Sequence, residues 1–461
     1  MWKYALILDT WIIRSVSMTR FNLYHSVLYS LSFCSIFSVQ RFFPGLFGEG
    51  PAERRERLRH LLARLGQDAM KKGKDEEKEK EKTNQTTWYH EGSDELRKAR
   101  YWIACYSIPR ARERIEKEKL ERRILEATRN SRRQELYRSL RTFEISSSQV
   151  GDSRPVSSCH FSPDSSLIAT SSWSGLCKLW SVPHLQLLRT FRGHKEQALC
   201  IKFHPQANIS ISKSAVNLAS SAADGSVFLW SQESEEPVRS LSGHDSRVSR
   251  LDFHPCGRFL GTCCQDRSWR LWDLERNEEI LYQEGHSQAV QDISFQVDGS
   301  LAATGGLDSF GRVWDLRTGR CIMFMEGHSE GITGIDFSPN GYHVVTGSKD
   351  NTIRVWNVRN QKCEYTVPAH NNVVSRVLFD KSFSSFGSSS SSFVSSSFIA
   401  SASYDNTIKI WAHPNWTPLH TLSGHDSRIM GLDVSRDNKF LLSSSYDRTF
   451  KLWTPETVIA Q

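Results

Sequence analysis

The stretch GHSQAVQDISFQVDGSLAATGGLDSFGRVWD, residues 285–315, decides the fold because it recurs at once. Its landmarks are Gly285-His286, Asp308 and Val313-Trp314-Asp315, and the next copy carries Gly327-His328, Asp350 and Val355-Trp356-Asn357. The interval from His to Trp is identical in the two copies. Outward in both directions, tryptophans fall at matching places: Trp180, Trp230, Trp272, Trp314, Trp356, Trp411 and Trp453. A period of roughly 40–45 residues with paired Gly-His and Trp-Asp marks is the signature of a β-propeller, in which each repeat supplies four short antiparallel strands. The expectation is an all-β, seven-bladed propeller over residues 140–461, preceded by an α-helical, partly disordered extension.

Aligned on Trp, the repeats show a second regularity. Six residues before each Trp stand Ser174, Asp224, Asp266, Asp308, Asp350, Asp405 and Asp447. Four residues further back stand Thr170, Ser220, Thr262, Thr304, Thr346, Ser401 and Ser443. The histidines are His194, His244, His286, His328, His370 and His425, the fifth following Ala instead of Gly. Ser, His and Asp together invite a hydrolase reading, but a catalytic triad needs one cleft and one oxyanion hole, not six equivalent copies. A structural network accounts for the repetition. Asp accepts from the imidazole, the imidazole reaches the hydroxyl, and the hydroxyl accepts from the indole N–H, which can only donate. The first repeat has Ser174 for Asp and no Gly-His before it, so its network is expected to be incomplete. No catalytic residue, metal, cofactor or small-molecule substrate is expected.

Closure also leaves a trace. Leu140-Arg-Thr-Phe143 has the form of Leu188-Arg-Thr-Phe191 and Leu419-His-Thr-Leu422, and is expected to supply the outer strand of the last blade, removing the open edge of the ring. Two repeats are longer, around Gln206–Lys213 and in the serine run Lys381–Ser397, and both insertions should emerge on one face. The serine run is low in complexity and reads as disordered. The opposite face carries the Asp turns, whose neighbours include Trp173, Gln265, Arg267, Tyr404, Tyr446 and Arg448. Interface hot spots are enriched in Trp, Tyr and Arg, so this ring is the expected protein-binding surface.

The 461-residue chain has a formal charge of +8. Arg97–Arg141 holds fifteen Lys/Arg against six Asp/Glu, a net of +9, so the remainder is close to neutral. A local basic stripe points to RNA or an acidic partner better than a diffuse isoelectric point does. The ten cysteines are scattered without CxxC spacing, and the adjacent Cys263 and Cys264 suit neither a tetrahedral metal site nor an ordinary disulfide. They read as reduced thiols of an intracellular protein.

Before the repeats, residues 1–45 read as an atypical hydrophobic leader outside the folded protein, its apolar stretch too serine-rich for a convincing membrane span. Residues 46–70 read as a helix with Leu58, Leu61, Leu62 and Leu65 on one stripe. Residues 71–87 form a Lys/Glu linker, and 88–139 a basic helical segment that Pro109 should break or kink.

Here the motifs carry a resemblance. Leu46-Phe-Gly-Glu-Gly-Pro-Ala-Glu-Arg-Arg-Glu-Arg-Leu58 and Thr87-Trp-Tyr-His-Glu-Gly92 precede Trp173-Ser-Gly-Leu-Cys-Lys-Leu-Trp180, Asp266-Arg-Ser-Trp-Arg-Leu-Trp-Asp273 and Tyr446-Asp-Arg-Thr-Phe-Lys-Leu-Trp453. From about Leu46 to Trp453 the chain resembles the WD40 subunits of the U4/U6 small nuclear ribonucleoprotein, a family of pre-mRNA splicing factors. The resemblance implies a non-enzymatic nuclear scaffold of the U4/U6 particle and the U4/U6.U5 tri-snRNP. Its implied partners are a U4/U6 scaffold protein and U4/U6 snRNA, touched directly or indirectly. It also implies a cyclophilin docked on the segment around Leu46, Phe47, Arg54, Arg55, Leu58, Leu61 and Leu62. Arg41-Phe-Phe-Pro-Gly45 replaces the usual approach to that segment, which puts the cyclophilin contact in question. The alternative is a WD40 substrate adaptor of another complex such as a ubiquitin ligase, although no F-box-like segment is visible.

Overall fold

The computed structural model describes residues 93–381 and 397–455, with Glu56 alone before them. The expectations for residues 1–45, 46–70 and 71–87, including Leu46, Phe47, Arg54, Arg55, Leu58, Leu61 and Leu62, lie outside the described residues, as does the serine run from 382 to 396.

Seven four-stranded antiparallel sheets form the ring. In blade 5 the strands are Ile332–Phe337, His343–Ser348, Thr352–Asn357 and Lys362–Pro368, from the channel outward. Ile332, Ile335 and Phe337 are buried on the first, and Val344 and Val345 on the second. The fourth strand is largely exposed and reads accordingly, Lys-Cys-Glu-Tyr-Thr-Val-Pro. Strands flanked by neighbouring blades on both faces must be apolar on both faces, whereas the rim strand needs only one. The innermost strands are Val156–Phe161, Ala198–Phe203, Val248–Phe253, Val290–Phe295, Ile332–Phe337, Val374–Phe379 and Ile429–Val434. Each touches the next, and the last touches the first, so the ring is closed.

Blade 7 contains both ends of the repeat region. Ile429–Val434, Leu441–Ser445 and Thr449–Pro455 come from the end of the chain, and the rim strand Phe143–Val150 comes from before blade 1. Its register pairs Ile145 with Trp453 and Val150 with Thr449. In blade 1 the equivalent partner of Trp180 is Leu187. The stretch Leu140–Phe143 is therefore not the closing strand. Leu140 and Arg141 end a helix, and the strand opens only at Phe143, the last residue of the motif. Leu140 is buried against Leu422, Leu432 and Trp453, so its apolar character serves helix docking.

Two helices precede that strand, α1 (Asp94–Arg123) and α2 (Glu126–Arg141). Ser93 caps α1 by accepting from the Leu96 N–H at 3.2 Å, with Asp94 and Glu95 in the first turn and Arg122 and Arg123 in the last, the polarity a helix dipole favours. Pro109 does not break α1. The helix is held on both sides of it, by buried Ile103 and Ser107 before and buried Arg114 after, and the break falls instead at Ile124-Leu125. Among the described residues no helix is long and apolar enough to cross a membrane.

Candidate interaction surface

The Trp, Ser/Thr, His and Asp positions converge inside each blade, in different degrees. In blade 4 the Trp314 indole N–H donates to Thr304 Oγ1 (2.9 Å), which lies 2.9 Å from His286 Nε2, while His286 Nδ1 lies 3.0 Å from Asp308. Blade 5 repeats this with Trp356, Thr346, His328 and Asp350, blade 6 with Trp411, Ser401, His370 and Asp405, and blade 7 with Trp453, Ser443, His425 and Asp447. In these last three the imidazole Nδ1 is 2.8 Å from its carboxylate. Burial alone would raise the Asp308 carboxyl, but hydrogen bonding and charge from His286, with the Ser287 and Phe310 N–H groups, hold it below the usual range. Gly285 opens this corner: its φ is +152°, and a Cβ there would lie 2.8 Å from the Trp314 ring.

Blades 1–3 depart from the pattern. In blade 2, Trp230 and His194 both reach Ser220, but His194 Nδ1 meets Ser226 Oγ at 2.9 Å instead of Asp224. Asp224 accepts from that same hydroxyl at 2.6 Å, so a serine intervenes. In blade 3, Trp272 and His244 share Thr262, but Asp266 accepts from Ser268 and from Arg270 (3.2 Å), and His244 Nδ1 is buried without a partner. Burial, reinforced by the Arg270 charge, pushes the His244 imidazole down to about 4, and burial does the same for His194. In blade 1, Trp180 donates to Thr170 with no histidine present, and Ser174 hydrogen-bonds Asp152, which is also 3.4 Å from Lys178 Nζ.

Blade 3 also holds a grouping that sequence spacing did not reveal. One ligand atom from each of His244, Cys264 and Asp266 lies within 4.8 Å of the others. Cys264 is 20 residues from His244 in sequence and meets it only across the blade. The Arg270 guanidinium beside Asp266 opposes a cation there, and burial pushes the Cys264 thiol up to about 11. The nine cysteines among the described residues are all free.

The two faces of the ring differ. The turn joining the second and third strands of every blade places a left-handed residue after the Asp position: Gly175, Gly225, Arg267, Ser309, Asn351, Asn406 and Arg448. Glycine and asparagine accept this conformation readily, whereas arginine does so only at a cost. Beside these turns Gln265, Arg267, Tyr446 and Arg448 are exposed, and Trp173 and Tyr404 half-buried. Tyr446 meets Trp173 edge-on at 5.5 Å.

The opposite face, made by the other two sets of loops, carries α1 and α2. Arg114 forms a buried ion pair with Asp298 at 2.6 Å and donates to the Asn340 carbonyl. Tyr342 donates to Glu118 at 2.6 Å, and Tyr137 donates to the Ser397 and His413 carbonyls at 2.9 and 2.6 Å. Leu96, Ala99 and Ile103 pack beside Phe259 and Ile280. The helices thus span blades 3 to 7 on this face. There the channel opens into a cavity of about 210 Å³, where Lys202 pairs with Asp252 at 3.4 Å and Lys381 with the neighbouring Asp433.

Seven blades, each with a Trp-to-hydroxyl link and six with a histidine joined to it, define a WD40 propeller. Consistent with that geometry, the family model for the WD domain, G-beta repeat, matches residues 139–181, 185–231, 235–273, 278–315, 319–357, 361–412 and 416–454, and the chain belongs to the WD40 repeat family. Among its relatives are the proteins named U4/U6 small nuclear ribonucleoprotein Prp4 of Mus musculus and Homo sapiens, 61% and 62% identical over 225 residues. That match covers 48% of this chain and 43% of each relative, so it spans less than half of their length. The protein of the same name from Saccharomyces cerevisiae is 34% identical over 120 residues, a quarter of either chain.

Proposed function

We propose that this chain is a non-enzymatic WD40 subunit of the U4/U6 small nuclear ribonucleoprotein, acting in the nucleus as a scaffold of that particle and of the tri-snRNP in pre-mRNA splicing. The observation that carries the proposal is 61–62% identity over 225 residues to relatives bearing that particle's name, in a chain with seven matched repeats. In this proposal the Asp-turn face, with Trp173, Gln265, Arg267, Tyr404, Tyr446 and Arg448, receives a U4/U6 scaffold protein. The helices leave it open, which supports the assignment. A cyclophilin is assigned to the segment beginning at Leu46. The outward side of the helices supplies RNA contacts, since Arg112, Arg122, Arg123, Arg132, Arg138 and Arg141 are all exposed. Crosslinking mass spectrometry on the affinity-purified particle tests the whole proposal, and U4/U6 proteins should dominate the crosslinks. The face is tested by Tyr404→Ala with Tyr446→Ala in a protein shown to remain folded, which should weaken pull-down of U4/U6 proteins. Full-strength pull-down, with loss on changing the opposite face, would place the partner there instead.

A further inference from the structure

We infer that the Asp-turn face of blades 6, 7 and 1 carries a clamp, centred on Arg428, for a protein segment that presents a carboxylate next to an aromatic or large aliphatic side chain. The inference rests on the reading of this face as the docking surface and adds the chemistry of what docks.

Arg428 lies just before the innermost strand of blade 7, Ile429–Val434. Its backbone carbonyl accepts from the Tyr446 N–H at 2.9 Å, which fixes the two residues side by side at the channel rim. The guanidinium carbon is 4.3 Å from the centre of the Tyr446 ring and 5.4 Å from that of Tyr404, on the next blade. Two rings from two blades therefore hold one guanidinium, and Trp173 of blade 1 extends the row beyond Tyr446. Aromatic contact orients the plane of an arginine without using its N–H groups. Among the described residues, the Arg428 side chain makes no hydrogen bond and has no carboxylate within 4.0 Å. An arginine so held, with its donors unspent, is a preorganised fork for a carboxylate or phosphate oxygen pair. Beside it Tyr446 and Trp173 offer apolar surface to a neighbouring side chain.

The charges around the clamp select between a peptide and a nucleic acid. A phosphate backbone repeats its charge continuously and is gripped by a track of cations. Here carboxylates interrupt the cations. Asp426 stands exposed two residues before Arg428, Asp447 follows Tyr446, and Asp405 follows Tyr404. A strand of phosphates crossing Arg428 would pass these carboxylates, whereas a single acidic side chain would not. Arg448, exposed and in the left-handed conformation after Asp447, places a second cation on the same rim.

The test uses the full chain, an array of short overlapping synthetic peptides covering the proteins of the U4/U6 particle, and a fluorescent oligouridylate. Retained peptides should carry Asp or Glu within a residue or two of an aromatic or large aliphatic side chain. Arg428→Gln should weaken the best of them by roughly tenfold, the scale of a charge-assisted paired hydrogen bond. Replacing the peptide's acid by its amide should cost the same against unaltered protein, and the two losses should not add. The peptide-side change keeps the test informative even if Arg428→Gln alters folding. Peptides indifferent to both changes, the absence of any retained peptide, or oligouridylate binding that depends on Arg428 would each overturn the inference. Wild-type pull-down by Arg428→Gln, with loss by Tyr404→Ala/Tyr446→Ala, would remove the clamp and leave the docking face standing. Undiminished pull-down by the double variant would remove the face itself.

Discussion

Blades 4–7 and blades 1–3 have the same four strands but do not close their polar networks in the same way. In the first group every link from indole to hydroxyl to imidazole to carboxylate is made within hydrogen-bond distance. In the second group one link is absent, relayed through Ser226, or diverted to Arg270. The fold tolerates this because the Trp-to-hydroxyl link is present in all seven blades, and that link buries the one donor with no alternative acceptor. The imidazole-to-carboxylate link adds stability on top of an already formed blade. A buried polar group costs most when it is left without a partner, so the two groups should respond differently to the same substitution.

The largest contrast is expected at the shared hydroxyl. Thr346→Val in blade 5 strands both the Trp356 N–H and His328 Nε2, and should cost about 3 kcal/mol in urea denaturation. Thr170→Val in blade 1 strands Trp180 alone and should cost about half as much. Equal losses would dissolve the distinction between the groups. Next in size, Asp308→Ala should cost about 2 kcal/mol, and Asp266→Ala less than about 1, because His244 Nδ1 already lacks its carboxylate. A larger loss at Asp266 would mean that its bond to Arg270 matters more than the missing bond to histidine.

The pH dependence sharpens the comparison further. His194 and His244 have an ordinary value of 6.5 in the unfolded chain and about 4 in the native one. Their stabilising contribution is complete above pH 6.5 and is lost as pH falls toward 4, since only the unfolded chain takes up the proton in that window. Between pH 7 and pH 6 each should cost ~0.7 kcal/mol. His254 and His413, also pushed to about 4, chiefly by burial, add to the slope. His244→Asn should flatten the curve of unfolding free energy against pH, and an unchanged slope would refute the assignment. The smallest effect is expected at the turns. Arg448→Gly should stabilise the fold by about 0.5 kcal/mol, as relief of the left-handed conformation exceeds the entropy glycine adds to the unfolded chain. Destabilisation would show that the arginine side chain braces the rim.

Much of this was legible in the sequence because the blade is a local object. Trp, hydroxyl and Asp sit within one pair of strands, and the histidine enters at a regular distance, so spacing alone brings them together. What escaped was set by contacts between distant residues. Asp224 and Asp266 look like Asp308 in the alignment, but Ser226 and Arg270 decide where they point. Leu140–Phe143 looks like a rim strand because an apolar-basic-polar-apolar pattern also suits the last turn of a docked helix. Pro109 looks like a break because helix propensity carries no record of the surfaces that hold α1 on both sides. Arg428 shares the stretch Gly-His-Asp-Ser-Arg with Arg247, so that stretch does not single it out, and its two tyrosines come from the turns of two blades.

The pairing of Phe143–Val150 with Thr449–Pro455 has a consequence for how the molecule is made. Roughly 300 residues separate the two strands, so on the ribosome the earlier one emerges long before its partner is translated. Until then a nascent chain carries an unpaired rim strand and an unsealed ring, both apt to attract other chains. A product that stops short of Thr449 never obtains the pairing, however well its first six blades have folded. Closure therefore works as a checkpoint, in which the sealed ring reports that its seventh blade has been made.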